Sequence, residues 1–128
     1  NLIYWRQGDW AAVGPGAHGR LTLGGTRWAT EAHPVPGAWL AAVEARGTGD
    51  SLRDALPLSE RATEYLLMAM RLAEGMDTAR YKAHGAGLPQ DRIAELLTLG
   101  LVTMREGRLA ATATGRPVLN AILRELAD

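Results

Sequence analysis

The sequence predicts an α+β fold in two parts: a strand-and-turn portion over residues 1–55 and a mostly helical portion over 56–128. Three observations carry this. The opening stretch runs an apolar segment, Trp10-Ala11-Ala12-Val13, into a turn with glycine at 14, 16 and 19. That is the composition of a fully buried strand followed by a loop that needs positive φ or a close approach. Next, Leu21-Thr22-Leu23 and Thr26-Arg27-Trp28-Ala29 alternate about Gly24-Gly25, which is a hairpin signal. From Ser59 onward apolar residues recur at helical spacing, punctuated by Gly75, Gly85, Gly87 and Gly100.

Taken in order, residues 2–5 read as the end of an element and Gly8-Asp9 as a turn. His33-Pro34-Val35-Pro36-Gly37 is a breaker cluster. Residues 38–46 form a short helix with Leu40 and Val43 on one face, stopped at Gly47. Residues 48–58 are polar and loop-like and hold the domain boundary. The first portion has too few elements to cover both faces of a strand as apolar as 10–13, so it requires partners from elsewhere.

The second portion is better supplied. Ser59 is the expected N-cap of a long helix with Glu60 in its first turn and Gly75 as its stop; its stripe is Ala62, Tyr65, Leu66, Ala69, Leu72 and Ala73. Asp77 caps a shorter helix through Tyr81 and Lys82, ended by Gly85 and Gly87. Pro89 opens a third, with Ile93, Leu96 and Leu97 inward and Gly100 at its end. Residues 101–105 and 108–111 form a hairpin about Glu106-Gly107. A closing helix over 115–126 carries Val118, Leu119, Ile122, Leu123 and Leu126. Three helices, a hairpin and a closing helix is the order of a winged-helix-like domain.

Composition removes several functions. Lys plus Arg equal Asp plus Glu, 14 against 14, so no net field draws the chain to nucleic acid or anionic lipid. The third helix, which would enter a groove, carries Asp91 and Glu95 against Arg92, too acidic for phosphate contacts; no nucleic-acid partner is expected. No apolar run approaches the roughly 18 to 20 residues of a membrane span. There are no cysteines, hence no disulfide and no thiolate cluster, as suits a cytoplasmic protein. His18, His33 and His84 share no metal-site spacing, and no hydrolase or carboxylate-pair motif occurs. This chain alone is expected to catalyse nothing.

The opening residues point further. Asn1, Tyr4 and Trp5 form N-x-x-Y-W, followed by G-x-G-A-H at Gly14, Gly16, Ala17 and His18. This pairing resembles the HemW-like haem chaperones, relatives of the HemN-like oxygen-independent coproporphyrinogen III oxidases within the radical S-adenosylmethionine (SAM) superfamily. Downstream, L-S-E-R-A-T-E (58–64), L-L-M-A-M-R-L-A-E-G-M-D (66–77) and T-G-R-P-V-L-N-A-I-L-R-E-L (114–126) fall in the family's order. The likeness therefore covers nearly the whole chain. Ala12 stands where the family often has glycine, and Gln7 where it usually has a small residue.

The resemblance implies that residues 1–55 are the last part of an incomplete (β/α) radical SAM barrel, its glycine loop near the SAM site, and that 56–128 are the family's C-terminal domain. It implies SAM and a 4Fe-4S cluster held by a C-x-x-x-C-x-x-C triplet. That triplet is absent here and is expected upstream, since the chain opens at Asn and reads as a C-terminal fragment. It implies haem or a porphyrin as the bound molecule and haem-acceptor proteins as partners. Asn1, Tyr4, Trp5, Gly14, Gly16 and His18 are the candidate cofactor-binding residues, Tyr4 and Trp5 as a flat aromatic wall and His18 as a ligand. Weak haem binding, or none, is expected of this chain by itself, with the rest of the site upstream. The alternatives are coproporphyrinogen oxidation, as in the oxidase branch, and a non-catalytic protein-interaction module.

Overall fold

A computed structural model describes residues 2–127. In chain order the elements are α1 (Leu2–Trp5), β1 (His18–Leu23), β2 (Thr26–Ala32), α2 (Pro36–Arg46), β3 (Asp50–Ala55), α3 (Leu58–Ala69), β4 (Met76–Asp77), α4 (Thr78–Ala83), α5 (Gln90–Thr98), β5 (Val102–Arg105), β6 (Arg108–Ala111), a 3-10 turn (Arg116–Val118) and α6 (Leu119–Ala127). They form two compact units: a sheet unit, Gly8–Pro57, and a helical unit made of residues 2–7 together with 58–127. The architecture is α+β.

In the sheet unit, β1 and β2 pair antiparallel around Gly24-Gly25, with Leu23 opposite Thr26 and Leu21 opposite Trp28. Both glycines have positive φ, 57° and 81°, the geometry that lets a two-residue turn match the strand twist. β3 adds to the far side of β2, so the order is β1-β2-β3, with an irregularity at Glu31/Ala32. β3 corrects the expectation of a loop over 48–58. Its residues Asp50-Ser51-Leu52-Arg53-Asp54-Ala55 do not alternate because, as an edge strand, it is exposed almost throughout. α2 ends as expected, with Gly47 left-handed at φ 77° and its N–H donating to the Val43 carbonyl. Its inward residue is Ala42; Leu40 is exposed.

The stretch 10–13 is not a buried strand. Trp10 makes a single antiparallel bridge to Arg20, and Val13 is 85 % exposed. The bridge is made by the Trp10 and Arg20 amides, each donating to the other's carbonyl, at 2.8 and 3.0 Å. The Trp10 indole donates from Nε1 to the His18 carbonyl at 2.7 Å and lies beside the guanidinium groups of Arg20 and Arg27.

The helical unit holds the hydrophobic core: Leu66, Met70, Met76, Leu109, Ile122 and Leu126 are all but fully enclosed. α3 begins at Leu58, so Ser59 lies inside its first turn rather than capping it, and it stops at Ala69, well short of Gly75. The chain must turn there to bring β4 beside β6, Met76 opposite Leu109. Gly75 permits this: its φ is 72°, and a Cβ there would fall on the Leu109 carbonyl. Asp77 caps α4 as expected, accepting from the Ala79 and Arg80 amides at 3.0 and 3.3 Å. β5 and β6 form the expected hairpin about Glu106-Gly107, and the sheet order is β4-β6-β5. Leu97 and Val118, expected inward, are exposed; Val118 lies in the 3-10 turn ahead of α6, which starts only at Leu119.

Candidate cofactor-binding residues

The candidates fall in both units. Asn1 lies outside the described residues. Tyr4 and Trp5 belong to the helical unit, on α1, a single turn that is too short to persist alone and is held down by its neighbours. Arg6 pairs with Glu74 through Nε at 2.6 Å and Nη2 at 3.2 Å. Arg80 donates to the carbonyls of Arg6 and Gln7 at 2.7 and 3.2 Å while its guanidinium stacks over the Tyr65 ring at 4.5 Å. Gln7, 5 % exposed, takes a left-handed φ of 60° and donates from Nε2 to the Arg61 carbonyl at 2.7 Å. Anchored in this way, α1 presents the Tyr4 ring at the surface with Trp5 half-buried.

Gly14, Gly16 and His18 are brought together in the sheet unit. Gly14 and Gly16 have φ of 93° and 71°, a conformation that costs other residues about 1–2 kcal/mol. The corner is pinned to the breaker cluster: the Gly16 amide donates to the His33 carbonyl at 2.9 Å and the Ala32 amide to the Ala17 carbonyl at 2.9 Å. On Gly14 a side chain would meet nothing within 4 Å, so that face of the corner is open. Gly19 is needed for another reason. A Cβ there would meet Thr30 Oγ1 at 2.6 Å and the Ala12 amide nitrogen at 3.0 Å, so the 10–12 segment comes this close to β1 only because the position is bare. His18 is the first residue of β1, opposite Glu31, with its side chain exposed and therefore accessible as a ligand.

Beside this corner is a hollow of about 540 Å³, lined by Ala11, Ala12, Leu21, Leu23, Trp28, Thr30, Thr48, Asp50 and Arg53. Gly14, Gly16 and His18 do not line it. Its mixed lining of apolar and polar side chains has the makeup of a small-molecule site. Reading candidates from motifs misses it. The signal was alternation, which puts Leu21 and Leu23 on one face with their cross-strand neighbours Trp28 and Thr26.

The other histidines are structural in their contacts. His33 Nε2 lies 3.5 Å from Arg46 Nη2. His84 ends α4 and meets Tyr65 edge-on at 6.4 Å. Among the described residues no group of three or more His, Cys, Asp or Glu side chains could hold a metal ion, and no helix is long and apolar enough to cross a membrane.

Comparison with known proteins agrees with the motifs. The family described as the HemN C-terminal domain matches residues 56–118. The heme chaperone HemW of Mycobacterium tuberculosis is 35% identical over 129 residues, covering 98% of this chain and 30% of the relative. The mitochondrial radical S-adenosyl methionine domain-containing protein 1 of Danio rerio is 36% identical over 80 residues, 59% of this chain and 18% of its own. In structure, the coproporphyrinogen III oxidase HemN of Escherichia coli, a radical SAM enzyme, aligns with a TM-score of 0.64 over 91% of this chain and 28% of its own, at 18% identity. The chain thus spans about a third or less of the length of these relatives.

Proposed function

Because the chain belongs to the HemW- and HemN-like radical SAM family, we propose that it is the C-terminal region of a haem chaperone, a soluble cytoplasmic protein that binds haem and passes it to haem-dependent proteins. The carrying observation is the likeness to a heme chaperone along 98% of this chain, beside the N-x-x-Y-W motif and the glycine corner in its own sequence. In this reading the sheet unit is the end of the radical SAM barrel. The helical unit is a winged-helix-like cap, its order α3-β4-α4-α5-β5-β6 and its sheet order β4-β6-β5 being those of such a domain. Arg92 of α5 is engaged with α6, donating to the Glu125 carbonyl at 3.0 Å, which favours a structural over a groove-reading use of that helix.

The residues present fit haem better than they fit a cluster. With no cysteine in the chain, nothing here matches the thiolate ligation of a 4Fe-4S centre, and SAM and its cluster belong to the longer protein. For haem, the exposed Tyr4 ring with Trp5 beside it offers an aromatic surface. The His18 imidazole is a ligand of the right class, and the bare Gly14 face lets a flat molecule approach the backbone. Tyr4 and Trp5 in the helical unit, and His18 in the sheet unit, are each taken by themselves as candidates to hold or orient a porphyrin.

The test is a haem titration of the longer protein with and without His18→Ala, read at the Soret band. Stoichiometric uptake that weakens about tenfold or more in the variant is expected; a change under about 1 kcal/mol removes His18 from the site. Turnover of coproporphyrinogen by the same protein would favour the oxidase reading instead.

A further inference from the structure

Outside these candidates the helical unit has a hollow of about 360 Å³ lined by Arg6, Tyr65, Leu72, Glu74, Gly75, Arg80 and Arg108. Three guanidinium groups face one carboxylate, an excess of two positive charges. Glu74 answers Arg6 at 2.6 Å. The Glu74 carboxyl is held below the ordinary carboxylate value, first by the hydrogen bond from Arg6 and also by the charges of Arg6 and Arg108. Arg80 and Arg108 form no ion pair among the described residues. Arg80 gives one bond from each terminal nitrogen to a carbonyl and rests on the Tyr65 ring; Arg108 donates from Nη1 to the Gly75 carbonyl at 3.4 Å. A guanidinium has about five N–H donors, so both keep donors for a ligand.

We propose that this hollow is an anion site for a dianionic small molecule, in which the forks of Arg80 and Arg108 take the oxyanion oxygens and Arg6 is shared between the ligand and Glu74. Three features support it. The excess charge matches a dianion. Guanidinium forks bind carboxylate and phosphate oxygens in pairs. The Tyr65 ring, its hydroxyl accepting the Asp77 amide at 3.0 Å, and the two carbonyls hold Arg80 in place, so little of its side-chain freedom remains to be lost on binding. The inference goes beyond the proposed function: it concerns side chains that no motif marks and stands whether or not haem binds at Tyr4, Trp5 and His18.

Two anions distinguish the ligand sources. The full 128-residue chain, isotope-labelled, is titrated at constant ionic strength with succinate and, separately, with inorganic phosphate, following the arginine Nε–Hε resonances. Saturable shifts at Arg80 and Arg108 are expected with at least one of them, the tighter anion identifying a dicarboxylate or a phosphate ligand. Arg108→Gln should weaken binding about tenfold, whereas Glu74→Gln, by removing the competing carboxylate, should tighten it. Arginines that serve only to clamp α1 would respond to neither anion beyond a chloride control, and that result, or an affinity unmoved by Glu74→Gln, overturns the proposal.

Discussion

The two units reach order by different means. In the helical unit α3, α5 and α6 close with β5 and β6 around side chains such as Leu66, Leu109 and Ile122, which retain almost no exposure. In the sheet unit the buried hydrophobic residues among those described are Ala32 and Ala42, while Leu23 is 64 % and Val13 85 % exposed. Its most enclosed large side chain is charged. Arg27, 3 % exposed, pairs with Asp9 at 3.1 Å and donates to the Gly8 carbonyl, and Asp9 also accepts from the Thr22 amide and hydroxyl at 2.9 and 2.8 Å. A complete three-stranded ladder is therefore compatible with almost no core. Backbone pairing sets the shape of the sheet, and burial, which stabilises by about 25 cal/mol per Å² of apolar surface, is concentrated in the other unit.

The contrast can be broken by substitution. Leu66→Ala should destabilise the helical unit by about 2–5 kcal/mol, seen as an earlier urea midpoint for far-ultraviolet helix signal; a loss under about 1 kcal/mol would mean that the cluster is not the core. In the sheet unit the ranking should invert, polar over apolar. Asp9→Ala should cost about 1–2 kcal/mol for its lost charged hydrogen bonds, less for its partial exposure, and Leu23→Ser no more than about 0.5 kcal/mol. Tryptophan emission reads this unit, since Trp10, Trp28 and Trp39 lie in it and Trp5 alone in the other. The smallest effect should come from acid. The Glu74 carboxyl is depressed in the folded chain, so its contribution is present above the unfolded carboxylate value and is lost as pH falls through the folded one. Hydrogen exchange of the 2–7 amides should quicken over that interval and, in Glu74→Gln, be independent of it.

Local rules carried far in this sequence where a position answers to its neighbours. Gly24-Gly25, Gly47, Asp77 and Glu106-Gly107 each act at the expected place, because turns and caps are decided within a few residues. What depends on distant contacts was less legible. The 10–13 run has the composition of a strand, yet it makes only the isolated bridge from Trp10 to Arg20 and leaves Val13 in solvent. β3 lacks alternation because all of its residues but Asp50 are exposed. α3 was expected to continue to Gly75 because the apolar spacing persists through Leu72 and Ala73, but Ala73 is exposed and pairing Met76 with Leu109 ends the helix at Ala69. Of the candidate site, the motifs gave Tyr4, Trp5 and the glycine corner; the arginine hollow was out of reach, since Arg6, Arg80 and Arg108 are separated by whole elements and meet only in the fold.

The Gln7 side chain reaches the Arg61 carbonyl across 54 positions of chain. Both ends of the 8–57 segment are thereby stitched to one body, so in topological terms the sheet is an insert within the helical fold. Closing a loop of this length costs an entropy that grows only as the logarithm of the number of residues. During synthesis, however, the first turn must wait for more than fifty residues to emerge before its seat exists.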